Sequence, residues 1–339
     1  VHSLWRAGST YVFHAFRRTK GYWAYQEPVH EAALEAKENP QQLAQYGVQT
    51  TAALRHPPLQ QGYFYELQQT HAAWKDKINK ELIYVDYFSK DPEQPLLDYY
   101  RALITSAPDR PVLQDCRTAV RVDVIKQTLG GVHLYLWRNP WDQWWSFQIN
   151  DYFPAVLQLI LSADSPPPVI LALREQIGFR AFRADDIATE IGHFTAHPLS
   201  PTADYLVFYT LWSLSLLMGR ASADILVNID QLSRSLAYRD KTLRQLERMG
   251  VGGLCFDDCS VPISWYGEDD ETFFEPLETQ VHDLLLRTGT PEDELEALRA
   301  LRQRFRPRAR TSRLALQESL RRTRAIAYRY ANRAAEGHF

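Results

Sequence analysis

Short β-rich runs that alternate with helical segments predict an α/β fold built on a central parallel sheet. Two further observations support that class. Apolar residues make up 45% of the chain and charged residues 23%, the balance of a globular protein rather than of a disordered or collagen-like one. No Gly/Ser-rich linker and no internal repeat divides the 339 residues, which favours one decorated domain over a string of small ones.

The elements follow in order. His2-Ser-Leu-Trp5 reads as a short strand that runs into Arg6-Ala-Gly-Ser-Thr10. A helix is expected from about Thr10 to Arg18, and Gly21 to Tyr25 reads as a second strand broken at Pro28. Between Glu31 and Arg101 the pattern is mostly helical, interrupted by His56-Pro-Pro-Leu59. Arg110 to Gln114 is a third strand. Val132 to Trp137 is the clearest one, β-rich and flanked by Gly130-Gly131 and Asn139-Pro140. Helices are expected from Trp141 to Ile149 and from Ala203 to Met218, with a last strand over Asp224 to Ile229. After Glu271 helical patterns dominate. The reading is an α/β domain over residues 1–298 with a helical insertion at about 150–220, then an Arg-rich helical extension over 299–339.

Net charge is -3, from 38 basic and 41 acidic residues, but it is unevenly spread. From Arg299 onward there are 12 Arg, no Lys and 2 Glu, a local +10 that leaves -13 for the rest. Such a tail fits a solvated helical face, or a basic amphipathic helix touching an anionic partner or a membrane surface. No nucleic-acid-binding motif accompanies it. The 3 cysteines lack the paired spacing of a structural zinc site and read as reduced thiols of a cytoplasmic protein. The most apolar run, Tyr205 to Met218, contains Thr210, Ser213 and Ser215 and is too short to span a bilayer. No signal peptide is recognisable. Aromatics at 12%, with 9 Trp and 18 Tyr, suit a protein that grips sugars or flat rings.

Two segments carry chemistry. A strand, then Arg6-Ala7-Gly8-Ser9-Thr10, then a helix can build an anion site. Gly8 allows a tight turn, backbone N–H groups converge at the helix start, and Arg6 adds a forked charge. The same residues also fit a plain capped helix start. No Walker A pattern is present, which disfavours a magnesium-dependent triphosphatase. In the second segment, Arg138 ends a strand and Ser146 follows eight residues later on a helix that begins at Pro140. One Arg and one Ser could hold a phosphate. Alternatively, Trp141, Trp144 and Trp145 form a packing face and Arg138 an ion pair.

Together these segments resemble the 3′-phosphoadenylyl-sulfate (PAPS) dependent sulfotransferases, α/β proteins related to P-loop kinases. Arg6, Ala7, Gly8, Ser9 and Thr10 match the family's 5′-phosphate loop, and Tyr11 holds the position of an aromatic that stacks on adenine. Arg138, Asn139, Pro140 and Ser146 match its 3′-phosphate motif in type and spacing. Tyr25-Gln-Glu27-Pro-Val-His30 resembles the segment after strand 2 in the carbohydrate and bacterial branch, where a Glu is the catalytic base. The resemblance implies a P-loop-like three-layer α/β/α fold with helical insertions. It also implies PAPS as donor, adenosine 3′,5′-bisphosphate as product, and a saccharide or small-molecule hydroxyl as acceptor. Glu27 would be the base, His30 a rival base or orienting neighbour, and Arg6 the group that stabilises the leaving phosphate. Two departures stand out: Ile229 occupies an adenine-contacting aromatic position, and the Arg-Lys-Gly closure over the 3′-phosphate is missing. Arg117 and Arg121, at helical spacing after the third strand, could meet an anion or form salt bridges. Tyr63 to Glu66 could line an acceptor cleft or simply pack. A P-loop kinase-like phosphotransferase and a catalytically silent adaptor are the alternative readings.

Overall fold

A computed structural model describes residues 1–44, 61–262 and 264–307. The chain divides into two compact units. The first comprises Val1–Arg138, Ala163–Ser165 and Leu214–Val261, the second Asn139–Ser162, Pro166–Ser213 and the chain from Pro262 onward.

The described residues of the first unit form five strands: β1 (His2–Ser3), β2 (Tyr22–Gln26), β3 (Arg110–Gln114), β4 (Leu134–Trp137) and β5 (Ile225–Asn228). All pairings are parallel. β4 lies between β1 and β5, while β2 pairs with β3 in register from Tyr22 opposite Arg110 to Gln26 opposite Gln114. A parallel bridge between His2 and Asp115 joins the two groups, giving the order β2-β3-β1-β4-β5. From β1 the chain goes first to the edge strand β2, returns to β3 beside β1, and then crosses to β4 and β5 on the other side, so strand order reverses between β1 and β4.

β4 is buried along its whole length, as expected of a parallel strand covered on both faces. Leu134 and Leu136 join Val12, Phe13 and Phe16 of helix α1 (Ser9–Arg17) and Ile225, Val227 and Leu232 in one apolar cluster. Tyr135 points the other way, as alternation requires. There it meets Gly219 of the helix Pro201–Ser222 so closely that a Cβ on Gly219 would lie 2.3 Å from the ring. Helices thus cover both faces of β4.

Observed strand ends agree with the sequence reading to within two residues; β1 is only two residues long, the chain leaving pairing at Leu4 and turning left-handed at Arg6. Arg117 and Arg121, at helical spacing in the sequence, do not lie on a helix: Arg117 sits in a turn, and Arg121 directly precedes the next helix, which begins at Val122. The Asp115 side chain is the reason. Its Oδ1 accepts the Arg117 N–H at 2.7 Å and its Oδ2 the Val29 N–H at 2.9 Å, so backbone donors are satisfied without a helix.

The described part of the second unit is helical. It includes the helices Pro140–Phe147, Tyr152–Leu161, Pro168–Gln176, Ile187–Ala196, Glu268–Arg287 and Glu292–Arg304. Trp141 and Trp144 are buried in its core, and half-buried Trp145 packs against Trp144 and Phe274. Trp141 stacks on Phe274 with ring centres 4.8 Å apart, and Trp144 packs against Tyr205 and Phe274. Glu278 lies among them, accepting from Trp141 Nε1 at 2.6 Å, from the Tyr205 hydroxyl at 2.8 Å and from Arg302. The expected boundary at 298/299 falls inside the helix Glu292–Arg304, and the extension from 308 on lies outside the described residues. No helix among the described residues is long and apolar enough to cross a membrane.

Candidate functional site

The candidate residues of the first unit gather at the carboxyl ends of its parallel strands. After β1, Arg6 adopts φ 65° and Gly8 φ 82°, ψ 15°. Gly8 is the N-cap of α1 and supplies no side-chain cap. Only glycine suits this position, since the φ is left-handed and a Cβ would lie 2.8 Å from the Ile229 side chain. This explains Ile229, which packs against the loop backbone instead of presenting an aromatic ring. In α1 the Val12 N–H bonds to the Gly8 carbonyl at 3.2 Å. The amides of Ser9, Thr10 and Tyr11, the first three of the helix, have no acceptor among the described residues. Beneath them lies Cys116, fully buried, within 3.5 Å of Ser9 Oγ and 3.6 Å of Ser3 Oγ. Burial pushes its thiol well up, so it forms a neutral floor to the loop.

Glu27 follows β2 directly. Its φ is 38°, and its N–H bonds to the Gln114 carbonyl at 2.7 Å, extending the β2–β3 ladder by one step. The buried carboxylate is held at both oxygens. Oε1 accepts from the Tyr63 hydroxyl at 3.0 Å, and Oε2 from Arg117 Nη1 at 2.8 Å. Arg117 also donates to Glu31 Oε2 at 2.7 Å and to the Tyr84 hydroxyl at 3.1 Å. Arg117 is therefore engaged by carboxylates. Arg121 is equally buried and is held mainly by the carbonyls of Leu82, Asp86 and Arg117. His30 caps the helix α2 (Glu31–Glu35), its Nδ1 accepting the Ala32 N–H at 3.0 Å. Burial lowers its pKa, so the ring is neutral with its proton on Nε2.

Arg138 ends β4 and forms a buried ion pair with Asp230, just beyond β5, with Nε 3.1 Å from Oδ1. Asn139 caps the helix Pro140–Phe147 through the Trp141 N–H at 3.0 Å, and half-buried Ser146 sits in its last turn, in the second unit. Tyr11 is held by its hydroxyl, which donates to Asp258 Oδ1 at 2.7 Å, and its ring lies against Phe256. Asp258 also receives Arg18, and the Arg18 and Tyr11 donors hold its carboxyl well below the usual range.

Tyr63 and Arg117 were visible in the sequence, though not as partners of Glu27. Cys116, Glu31, Tyr84, Asp230 and Asp258 were not assigned these contacts, because the pairings join residues far apart in the chain. Compared with known protein families, curated proteins and solved structures, the chain matches none.

Proposed function

We propose that the protein is a PAPS-dependent sulfotransferase with Glu27 as its base. One observation carries the reading. Among the described residues, three non-glycine residues have positive φ, and two of them are Arg6 and Glu27, at the carboxyl ends of β1 and β2. Left-handed backbone at such residues costs about 1–3 kcal/mol each and concentrates at functional sites. Their placement agrees with the general behaviour of open parallel sheets, which bind ligands at strand carboxyl ends where the strand order reverses. The P-loop-like relationship rests on the same arrangement together with the two sequence motifs.

The residues fit an anionic nucleotide donor. The amides of Ser9, Thr10 and Tyr11, which have no acceptor among the described residues, and the Arg6 guanidinium suit a 5′-phosphate, and Arg138 suits a 3′-phosphate on exchanging part of its hold on Asp230. The donor supplies a sulfuryl group: the acceptor oxygen bonds to sulfur as the bridging sulfur–oxygen bond breaks and the bisphosphate leaves. Glu27 takes the acceptor's proton, and Arg6 balances charge on the departing phosphate. His30 is less suited to the base role, because its unprotonated nitrogen already accepts the Ala32 N–H. A saccharide or small-molecule hydroxyl remains the proposed acceptor.

Calorimetric titration tests the reading. Adenosine 3′,5′-bisphosphate should bind without magnesium and more tightly than ATP, and Arg138→Ala should weaken it about 10-fold or more, as loss of a charged hydrogen bond implies. A preference for ATP would favour the kinase-like alternative, and binding of neither ligand would overturn the proposal.

A further inference from the structure

We infer that Arg117 is a positioning residue for Glu27, with Glu31 as its second anchor; this rests on the reading of Glu27 as base. Arg117 is 0% exposed and sits in the turn after β3, where Asp115 fixes its backbone N–H. Its guanidinium lies over the rings of Trp5 and Tyr84, at 5.2 and 5.4 Å. Trp5 directly precedes Arg6, so the group is seated against the start of the first loop. Its edge is divided three ways: Nη1 to Glu27 at 2.8 Å, Nη2 to Glu31 at 2.7 Å and Nε to Tyr84 at 3.1 Å. Tyr84 also donates to Glu31 at 3.2 Å.

A simple ion pair would need one carboxylate. Here the second carboxylate and the Tyr84 hydroxyl fix the plane and rotation of the guanidinium, so that Nη1 meets Glu27 from one defined direction. Glu27 needs such a hold because its backbone is left-handed and would otherwise relax. A second arm steadies the other oxygen: Gln26 Nε2 donates to the Tyr63 hydroxyl at 2.8 Å, and that hydroxyl donates to Glu27 Oε1. Burial keeps the Tyr63 hydroxyl protonated. Both carboxylate oxygens are thus set by side chains that need not touch either substrate.

A double-mutant cycle on full-length protein tests this, with PAPS as donor and a panel of saccharide and small hydroxyl acceptors. Arg117→Lys keeps the charge but cannot serve two carboxylates and Tyr84 together. It should lower kcat about 10²-fold, the cost of a misplaced catalytic group, with donor KM unchanged. In a Glu27→Gln background the same change should cost nothing further, since a residue acting through Glu27 has nothing left to position. Glu31→Gln should lower kcat about tenfold and show the same non-additivity; it carries the test if Arg117→Lys fails to fold. Unchanged kcat in the Arg117 and Glu31 variants, or losses that add to that of Glu27→Gln, would overturn the positioning role and leave the base reading intact. Absence of transfer by wild type, or transfer that survives Glu27→Gln, would overturn the base reading and the role of Arg117 with it.

Discussion

Each unit buries a glutamate against an arginine, and the two clusters differ in backbone rather than in chemistry. Glu278 lies in the middle of the helix Glu268–Arg287, in ordinary helical conformation, and Arg302 embraces it among Trp141 and Tyr205. Glu27 has comparable partners, yet it stands at a strand end with φ 38°. A buried Arg–Glu pair alone therefore says little about function, since its desolvation cost offsets much of its attraction. What separates the two is where the chain places the carboxylate and the strain at that placement. Glu278 is read as a structural tie, Glu27 as a group held ready for chemistry.

The widest divergence should appear on mutation of the two carboxylates. Glu27→Gln should lower turnover by about 10²–10⁴, the usual worth of a general base, with little change in the unfolding midpoint. Glu278→Ala should instead cost about 3–5 kcal/mol of stability in denaturant titration, because Arg302 is left buried and unpaired. If Glu27→Gln destabilised the protein as severely and spared turnover, the two clusters would be alike.

The N-cap glycines sharpen the contrast. Gly8 caps α1 at φ 82° with Ile229 against it, whereas Gly267 caps the helix Glu268–Arg287 at φ -110° with open space around it. Gly8→Ala should destabilise by about 1–3 kcal/mol and abolish bisphosphate binding measured by calorimetry. Gly267→Ala should cost less, about 0.5–1 kcal/mol, the ordinary difference between Gly and Ala at an N-cap without strain, and should leave bisphosphate binding unchanged. Equal effects at both positions would remove the special status of the first loop.

The smallest difference concerns pH. His30 caps α2 and Asn139 caps the helix Pro140–Phe147, but only the histidine titrates. Burial lowers the His30 pKa below its ordinary 6.5, with Glu31 opposing and the Arg117 charge reinforcing the shift. A lowered pKa means the neutral ring is favoured in the folded state. Its contribution is fully present above the unfolded value and is lost as pH falls through the folded one. His30→Ala should cost about 1 kcal/mol at neutral pH, as loss of a cap does, and less as the solution is acidified. His30→Asn should retain the cap and flatten that part of the stability–pH curve; an unchanged curve would show that the cap does not titrate.

Much of the fold was legible. β3 and β4 were bounded by turn residues and β-rich composition, and the first loop was marked by Gly8 between a strand and a helix. Local patterns could locate the strands because each signal lies within a few residues. They could not pair them: the bridge of His2 to Asp115, and hence the place of β1 inside the sheet, joins segments more than a hundred residues apart. The site divided in the same way. Arg6, Glu27 and Arg138 stood out by motif, whereas the use of Arg117 by Glu27 and of Asp230 by Arg138 arises only when strand ends meet. The Arg117-x-x-x-Arg121 spacing imitates a helix, while the Arg117 N–H is taken by the side chain of Asp115 two residues earlier, a contact the spacing does not reveal.

The cysteines offer a practical opening. Cys116 is sealed under the first loop with its thiol pushed up by burial, and Cys259 is buried with its thiol raised to about 11. Cys255 is exposed, and its carbonyl accepts Arg18 Nη2 at 2.7 Å, beside the Asp258 that holds Tyr11. A maleimide dye or nitroxide applied at neutral pH should therefore attach at one place in the unmodified chain. That attachment point would report, by fluorescence or spin resonance, on any rearrangement of the Tyr11 ring on addition of the proposed adenosine 3′,5′-bisphosphate ligand.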